Sequence, residues 1–240
     1  MIKKEIFIDS NNVDSNMELK VTSLFKYLQD IAVEHSEKLG VGKKATIDIG
    51  LNWVIARFLV TINRMPRYQE TVDFFTYPGE TVKFLFPRKF EIRSKDGELL
   101  VQAASIWLVI DSKTRQPSMN PFDNNNLPFE KYDYELPNPG KIRCDKELNL
   151  VETRNVRYSD IDLNGHVNNT RYIDYILDTH DVSFFRKNKI TKLLINYNKE
   201  LRDGDVIDIY SSIENDIEYI SGKVNNTSYF DVEITYEKRA

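Results

Sequence analysis

The sequence predicts an α+β chain in which one plan, a helix followed by a run of antiparallel strands, occurs twice. Three observations lead there. A helical pattern precedes four strand-like runs, and the same succession returns in the second half. A stretch rich in proline and asparagine separates the two halves. Within the halves, Ile62–Asp73 aligns without gaps on Tyr197–Asp208: each segment ends a strand in a basic residue, turns at an arginine and restarts on an acid. A long helix followed by antiparallel strands implies a sheet wrapped on that helix, because each element must bury its apolar side against another.

The elements follow in order. Met1–Ile8 alternates weakly and reads as a strand. Thr22 or Ser23 is placed to cap a helix running to about Leu39, and Gly40 ends it. Leu24, Tyr27, Leu28, Ile31 and Leu39 form its apolar stripe. Trp53–Asn63, Thr71–Tyr77, Val82–Arg93 and Leu99–Ile110 are rich in Val, Ile, Phe and Thr and read as strands, with Asp96-Gly97 as a hairpin turn. From Asp111 to about Asp145 the periodicity fails, and Pro117, Pro121, Pro128, Pro137, Pro139 and Gly140 crowd around Asn124-Asn125-Asn126. This long connection is expected to be ordered in part, through Phe122, Leu127, Phe129 and Tyr132. Then Leu150–Tyr158 reads as a strand and Asn169–Thr179 as a helix, with Tyr172, Ile173, Ile176 and Leu177 as its buried stripe. Lys192–Asn198, Val206–Ile213, Tyr219–Val224 and Tyr229–Tyr236 complete the second set of strands. The expected division is a first domain over 1–115, a connection over 116–145 and a second domain over 146–240.

The bulk numbers exclude more than they assign. A chain of 240 residues holds one large domain or two small ones. A net charge of −4 gives no reason to invoke nucleic acid. Cys144 is the only cysteine, so neither an internal disulfide nor a cysteine-based metal site is expected. Met1–Asp9 lacks the apolar stretch of a signal peptide, and no run reaches membrane-spanning length, so a cytoplasmic protein without a membrane partner is expected. The sequons at Asn168 and Asn225 are then without consequence. No Gly-x-Ser-x-Gly, phosphate loop or dinucleotide fingerprint is present, and no cofactor is expected.

Chemistry concentrates in Arg157–Tyr172. Asp162, Asn164 and His166 stand at every second position just before the second helix. In extended chain that spacing sends all three to one side. Unpaired, they are costly to bury. A carboxylate, an amide and an imidazole beside a helix N-terminus suit a site that handles negative charge developing on oxygen. The same residues also suit a polar loop whose side chains cap the helix, and Gly165 permits a sharp bend in either case. Asn168 and Asn169 read as caps, with the backbone N–H groups from Val167 to Thr170 as oxyanion donors. Glu200 is the second candidate. In the internal alignment it falls opposite Met65, so the first half has no equivalent acid, though many such strand-end acids are only solvated. The first half also lacks an Asp-x-Asn-x-His run. Asn16-Met17-Glu18-Leu19 stands before its helix, which puts the chemistry in the second half. His35 and His180 have no partner at useful spacing and read as structural or solvated.

The run Ser159–Ile173 has the pattern S-D-x-D-x-N-x-H-V-N-N-x-x-Y-I and closely resembles the acyl-[acyl carrier protein] thioesterase family of the double hotdog type. In that family the segment L-E-Y-R-R-E-C carries a catalytic glutamate. Here Ile195–Leu201 matches it, keeping the acid as Glu200 and placing Leu201 where plant members have Cys, which excludes a thiol nucleophile at that position. The resemblance implies two tandem hotdog domains, each a long helix wrapped by an antiparallel sheet. It also implies hydrolysis of fatty acyl-[acyl carrier protein] with release of free fatty acid, and Asp162, Asn164, His166 and Glu200 as catalytic residues. Glu200 or Asp162 would serve as general base for water or attack directly as a nucleophile, with His166 orienting or polarising and Asn164 fixing the water or the carboxylate.

The partner so implied is acyl carrier protein bearing a phosphopantetheine-linked acyl chain; a homodimer is left open. An acidic carrier needs a local basic patch, for which Arg64, Arg67, Arg88 and Lys89 form one candidate and Arg186, Lys187, Lys189 and Lys192 another. The first half would supply the acyl-chain pocket, with Trp53, Val54, Ala56, Phe58, Phe74, Phe86 and Trp107 as candidate lining or core. The alternatives are an acyl-coenzyme A thioesterase, a hotdog dehydratase and a non-catalytic acyl-binding protein.

Overall fold

A computed structural model describes residues 1–119, 121–122 and 136–239. The chain forms two compact units, Met1–Pro139 and Gly140–Ala240. The first contains β1 (Ile2–Phe7), α1 (Val21–Lys38), α2 (Lys43–Ile47), β2 (Leu51–Ile62), β3 (Thr71–Pro78), β4 (Phe86–Ser94) and β5 (Leu99–Asp111). The second contains β6 (Asn149–Asn155), α3 (Asn169–Leu177), α4 (Val182–Lys187), β7 (Asn188–Tyr197), β8 (Val206–Glu214), β9 (Ile217–Val224) and β10 (Thr227–Lys238).

In the first unit the strands run in the order β1-β3-β4-β5-β2, and in the second β6-β8-β9-β10-β7, with every neighbouring pair antiparallel. Position for position these are the same topology. Each unit is a hotdog, a helix laid on an antiparallel sheet. The aligned segments match in structure as well: β2 ends at Ile62 and β3 restarts at Thr71, while β7 ends at Tyr197 and β8 restarts at Val206.

Packing follows the two periodicities. On α1, Leu24, Leu28 and Ile31 are fully buried, each worth roughly 1.5–3 kcal/mol, and Tyr27 meets Phe74 of β3 edge-on with ring centres 5.6 Å apart. On β10 every second residue, Phe230, Val232, Ile234 and Tyr236, is buried, as are Tyr172, Ile173 and Ile176 of α3. Gly222 of β9 lies opposite Phe230, and a Cβ there would come within 2.2 Å of the Phe230 ring, so glycine leaves room for that ring. Phe230 in turn meets Tyr172 edge-on at 5.4 Å, which seats the helix.

Several boundaries differ from expectation. Helix α1 begins at Val21 behind Lys20, which makes no side-chain cap, and Thr22 and Ser23 lie buried in its first turn. The segment before it is fixed instead by backbone bonds, Leu19 N–H to Pro66 C=O at 2.8 Å and Lys20 N–H to Asn12 C=O at 2.8 Å. Val82 and Leu85 bond only to each other across a tight turn with Lys83 at φ 58°, so β4 starts at Phe86. Helix α4, unforeseen, is capped by the Asp181 side chain, which accepts from Phe184 N–H. The hairpins β8–β9 and β9–β10 turn on Asn215-Asp216 and Asn225-Asn226, all four with positive φ, as two-residue hairpin turns require. Asp96-Gly97 turns β4 into β5 as expected, with Gly97 at φ 93°. Within the connection, Phe122 stacks on Trp53 at 5.6 Å, while Leu127, Phe129 and Tyr132 lie outside the described residues.

Candidate active site

The site in the second unit is built around a reverse turn. Asp162 N–H donates to His166 C=O at 2.8 Å, Gly165 N–H donates to Asp162 C=O at 3.0 Å, and Gly165 takes φ 77°. The Asp162 carboxylate accepts from Asn164 N–H at 2.7 Å and from the Asn164 side-chain amide at 3.2 Å. The expectation of three side chains projecting from extended chain is therefore corrected. A short Asp carboxylate reaches its own backbone two residues on, and that local bond folds the run into a turn. The bridge between Ile161 and Val167 makes Asp162 and His166 cross-strand neighbours. Asn164 sits exposed at the tip.

Glu200 arrives from beyond the end of β7. Val167 N–H donates to Leu201 C=O at 2.9 Å, docking the strand end against the turn. This brings Glu200 Oε2 within 3.4 Å of His166 Nε2, with both side chains partly shielded, 34% and 19% exposed. The structure thus joins Asp162 to Asn164 and His166 to Glu200.

The first unit provides an internal comparison. Asp14 N–H donates to Glu18 C=O at 2.8 Å, Met17 N–H to Asp14 C=O at 3.1 Å, and Asn16 N–H to the Asp14 carboxylate at 2.8 Å. Leu19 N–H bonds Pro66 C=O as Val167 N–H bonds Leu201 C=O. Asp14, Asn16, Met17, Glu18 and Leu19 thus occupy the places of Asp162, Asn164, Gly165, His166 and Val167. The reading that the first half has lost the polar constellation is corrected: it keeps the Asp–Asn turn, even with Met17 at φ 62° where the second unit uses glycine. What it lacks is the imidazole, replaced by Glu18, and the acid, replaced by the buried Met65. The Asp–Asn pair therefore builds a turn in both units, and only the second adds His166 and Glu200.

The helix end offers fewer donors than expected. Val167 N–H is spent on Leu201, Asn168 N–H on Asp160 C=O at 2.8 Å, and Thr170 N–H on the Asn168 side chain at 2.9 Å. The Asn169 N–H, first of the helix, is given no acceptor among the described residues.

Asp160 escaped sequence reasoning, although it precedes Asp162 in the same run. It is buried, and its carboxylate accepts from Arg157 N–H at 2.9 Å and Tyr175 O–H at 2.6 Å, with Arg171 Nε 3.3 Å away as an ion pair. It ties the turn to the body of α3. His180 does have a partner: its Nε2 lies 2.9 Å from the fully buried Glu218, which also accepts from Tyr236 O–H at 2.6 Å and Ser211 O–H. Burial alone would push the Glu218 carboxyl up, but these hydrogen bonds outweigh it and hold it below its ordinary value. His35 is likewise buried, its Nδ1 3.0 Å from Arg88. Sequence spacing missed both because the partners come from distant strands.

Arg88 leaves the expected basic patch for the same reason. It is buried, donating to Thr76 and Ser36 as well, since β4 alternates and that position faces α1. Arg64 is paired with Glu70 and Glu98, and Lys189 and Lys192 are paired with Glu237 and Glu233. Among the described residues no cluster of three His, Cys, Asp or Glu side chains suits a metal ion.

Comparisons with known proteins agree with this architecture. The family model of the acyl-ACP thioesterase N-terminal domain matches residues 1–123, and that of the acyl-ACP thioesterase C-terminal domain matches residues 144–237. An acyl-[acyl-carrier-protein] hydrolase of Cuphea viscosissima is 24% identical over 228 residues, covering 88% of this chain and 55% of its own length. A dodecanoyl-[acyl-carrier-protein] hydrolase of Cinnamomum camphora is 24% identical over 229 residues, covering 89% and 59%. The chain thus spans a little over half the length of these relatives. Among solved structures, an acyl-ACP thioesterase from Bacteroides thetaiotaomicron superposes with a TM-score of 0.87 at 24% identity, covering 98% of this chain and 97% of that one. The 12:0-ACP thioesterase from Umbellularia californica gives 0.86 at 20% identity, covering 99% and 97%.

Proposed function

The chain belongs to the acyl-ACP thioesterase family, and from that premise we propose that it hydrolyses the thioester of a fatty acyl chain on acyl carrier protein, releasing free fatty acid and the carrier thiol. The observation that carries the catalytic assignment is the contact between His166 and Glu200, present in the second unit and missing from the matching turn of the first. Glu200 acts as general base: it takes a proton from water as the hydroxyl adds to the thioester carbonyl carbon. His166 holds that carboxylate in place. The charge developing on the carbonyl oxygen falls at the N-terminal end of α3, where the Asn169 N–H is available and the helix dipole favours it. Collapse of the tetrahedral intermediate breaks the carbon–sulfur bond, and the proton on Glu200 passes to the leaving thiolate. Both Asp162 oxygens are engaged by Asn164, so Asp162 shapes the turn and Glu200 is the better placed base.

The first unit supplies the acyl-chain pocket in this reading. Trp53, Val54, Ala56 and Trp107 on the paired strands β2 and β5 are only partly buried, which suits lining, whereas Phe58, Phe74 and Phe86 are core.

The test is hydrolysis by the purified protein across medium and long acyl groups, each offered on acyl carrier protein and on coenzyme A. Faster turnover on the carrier form supports the proposal. Preference for coenzyme A moves the protein to the acyl-coenzyme A thioesterases, and no turnover on either overturns the enzymatic reading.

A further inference from the structure

Beyond the acid and the imidazole, one buried hydroxyl grips the backbone on both sides of Glu200. The Tyr172 hydroxyl oxygen accepts from Leu201 N–H at 2.9 Å, and its O–H donates to Lys199 C=O, 3.5 Å away. The side chain is 1% exposed and wedged edge-on against Tyr197 at 5.7 Å and Phe230 at 5.4 Å, so its oxygen has little freedom to move. With Val167 N–H bonded to Leu201 C=O, the residue before Glu200 and the residue after it are both tied to α3 and its entrance. The ring closes where His166, next to Val167, meets Glu200.

The first unit shows that the fold alone does not need this grip. By the correspondence of the two turns, Tyr172 stands where that unit has Leu24, which has no hydroxyl. Leu201 stands where it has Pro66, which has no N–H to satisfy. Helix, turn and strand end still meet through the Leu19 to Pro66 bond. The hydroxyl and the amide that it binds are found together in the unit that has Glu200.

We propose that Tyr172 is a positioning residue of the thioesterase site, holding the Lys199–Leu201 backbone so that the Glu200 carboxylate meets His166. This rests on the functional reading above. Burial raises the Tyr172 phenol above its ordinary range, so it stays protonated and able both to donate and to accept.

Tyr172→Phe removes the oxygen and keeps the ring. The expected result is a fall in kcat of about tenfold, with KM within about twofold. Tyr236→Phe is the control. It loses a buried hydroxyl of the same unit, one that donates to Glu218 at 2.6 Å outside the site, and its kcat should hold. If Tyr172→Phe does not fold because the Leu201 N–H is left unpaired, Tyr172→Leu with Leu201→Pro transplants the first unit's own pairing and should show the same loss of kcat. A Glu200→Gln background separates this inference from the one beneath it. Full activity in Glu200→Gln sinks the functional reading. If Glu200→Gln is crippled while Tyr172→Phe, or the transplanted pair, keeps wild-type kcat, the positioning role alone is overturned. Adding Tyr172→Phe to Glu200→Gln should cost nothing further.

Discussion

Nε2 of His166 lies 3.4 Å from Oε2 of Glu200, the imidazole coming from the turn before α3 and the carboxylate from just beyond β7. Residues that act as one unit lose activity together. Glu200→Gln and His166→Asn should each lower kcat by roughly 10²–10⁴, and the double variant should be little worse than the more damaging single one. Asp162→Asn, which retains an acceptor for Asn164 N–H, should cost only about tenfold. Steady-state kinetics on the carrier-bound substrate decide the matter: equal losses at Asp162 and Glu200 would return Asp162 to the chemistry.

Glu218 tests the opposite case, a buried acid outside the site. Its removal strands the hydroxyls of Ser211 and Tyr236 and the ring nitrogen of His180. Breaking such a network typically costs about 3 kcal/mol or more, or roughly 6–12 °C in Tm for a chain of this size. Glu218→Ala should show that drop by calorimetry while kcat, measured well below Tm, stays near wild type. A large fall in kcat without a fall in Tm would show that the cluster serves catalysis.

His35 predicts a pH dependence of stability. Burial, and then the neighbouring Arg88 cation, push its pKa down to about 4 from 6.5, so folding favours the neutral ring. The unfolded chain takes up that proton first as pH falls. The contribution is therefore complete above pH 6.5 and is lost as pH drops through the window from 6.5 toward 4. Glu218 is a carboxylate held below its ordinary 4.5, and its own contribution is lost only below that pH. Tm measured against pH should fall across the upper window in the native protein, and His35→Asn should flatten that part of the curve alone. An unchanged slope in the variant would remove His35 as its source.

The sequence by itself determined the repeated plan. The periodicities of Leu24, Leu28 and Ile31 and of alternating strand residues reflect which faces must leave water, and that requirement is local in the chain. It also isolated Asp162, Asn164 and His166, because polar residues packed that densely before a helix are costly unless they are used, and Glu200, an acid that the internal alignment sets opposite Met65 and that the family resemblance carries. Tertiary structure decided which of them meet. Asp162 turns on Asn164 through a bond that spans two residues, and the first unit repeats it at Asp14 and Asn16. His166 meets Glu200 only because a strand end docks beside the turn. The same holds for His180 with Glu218, His35 with Arg88, and the hydroxyl of Tyr172 with the backbone around Glu200. A helical stripe marks Tyr172 as buried, but not where its oxygen ends. Contacts between segments far apart in the chain are set by how sheet and helix pack, and no spacing along the sequence encodes them.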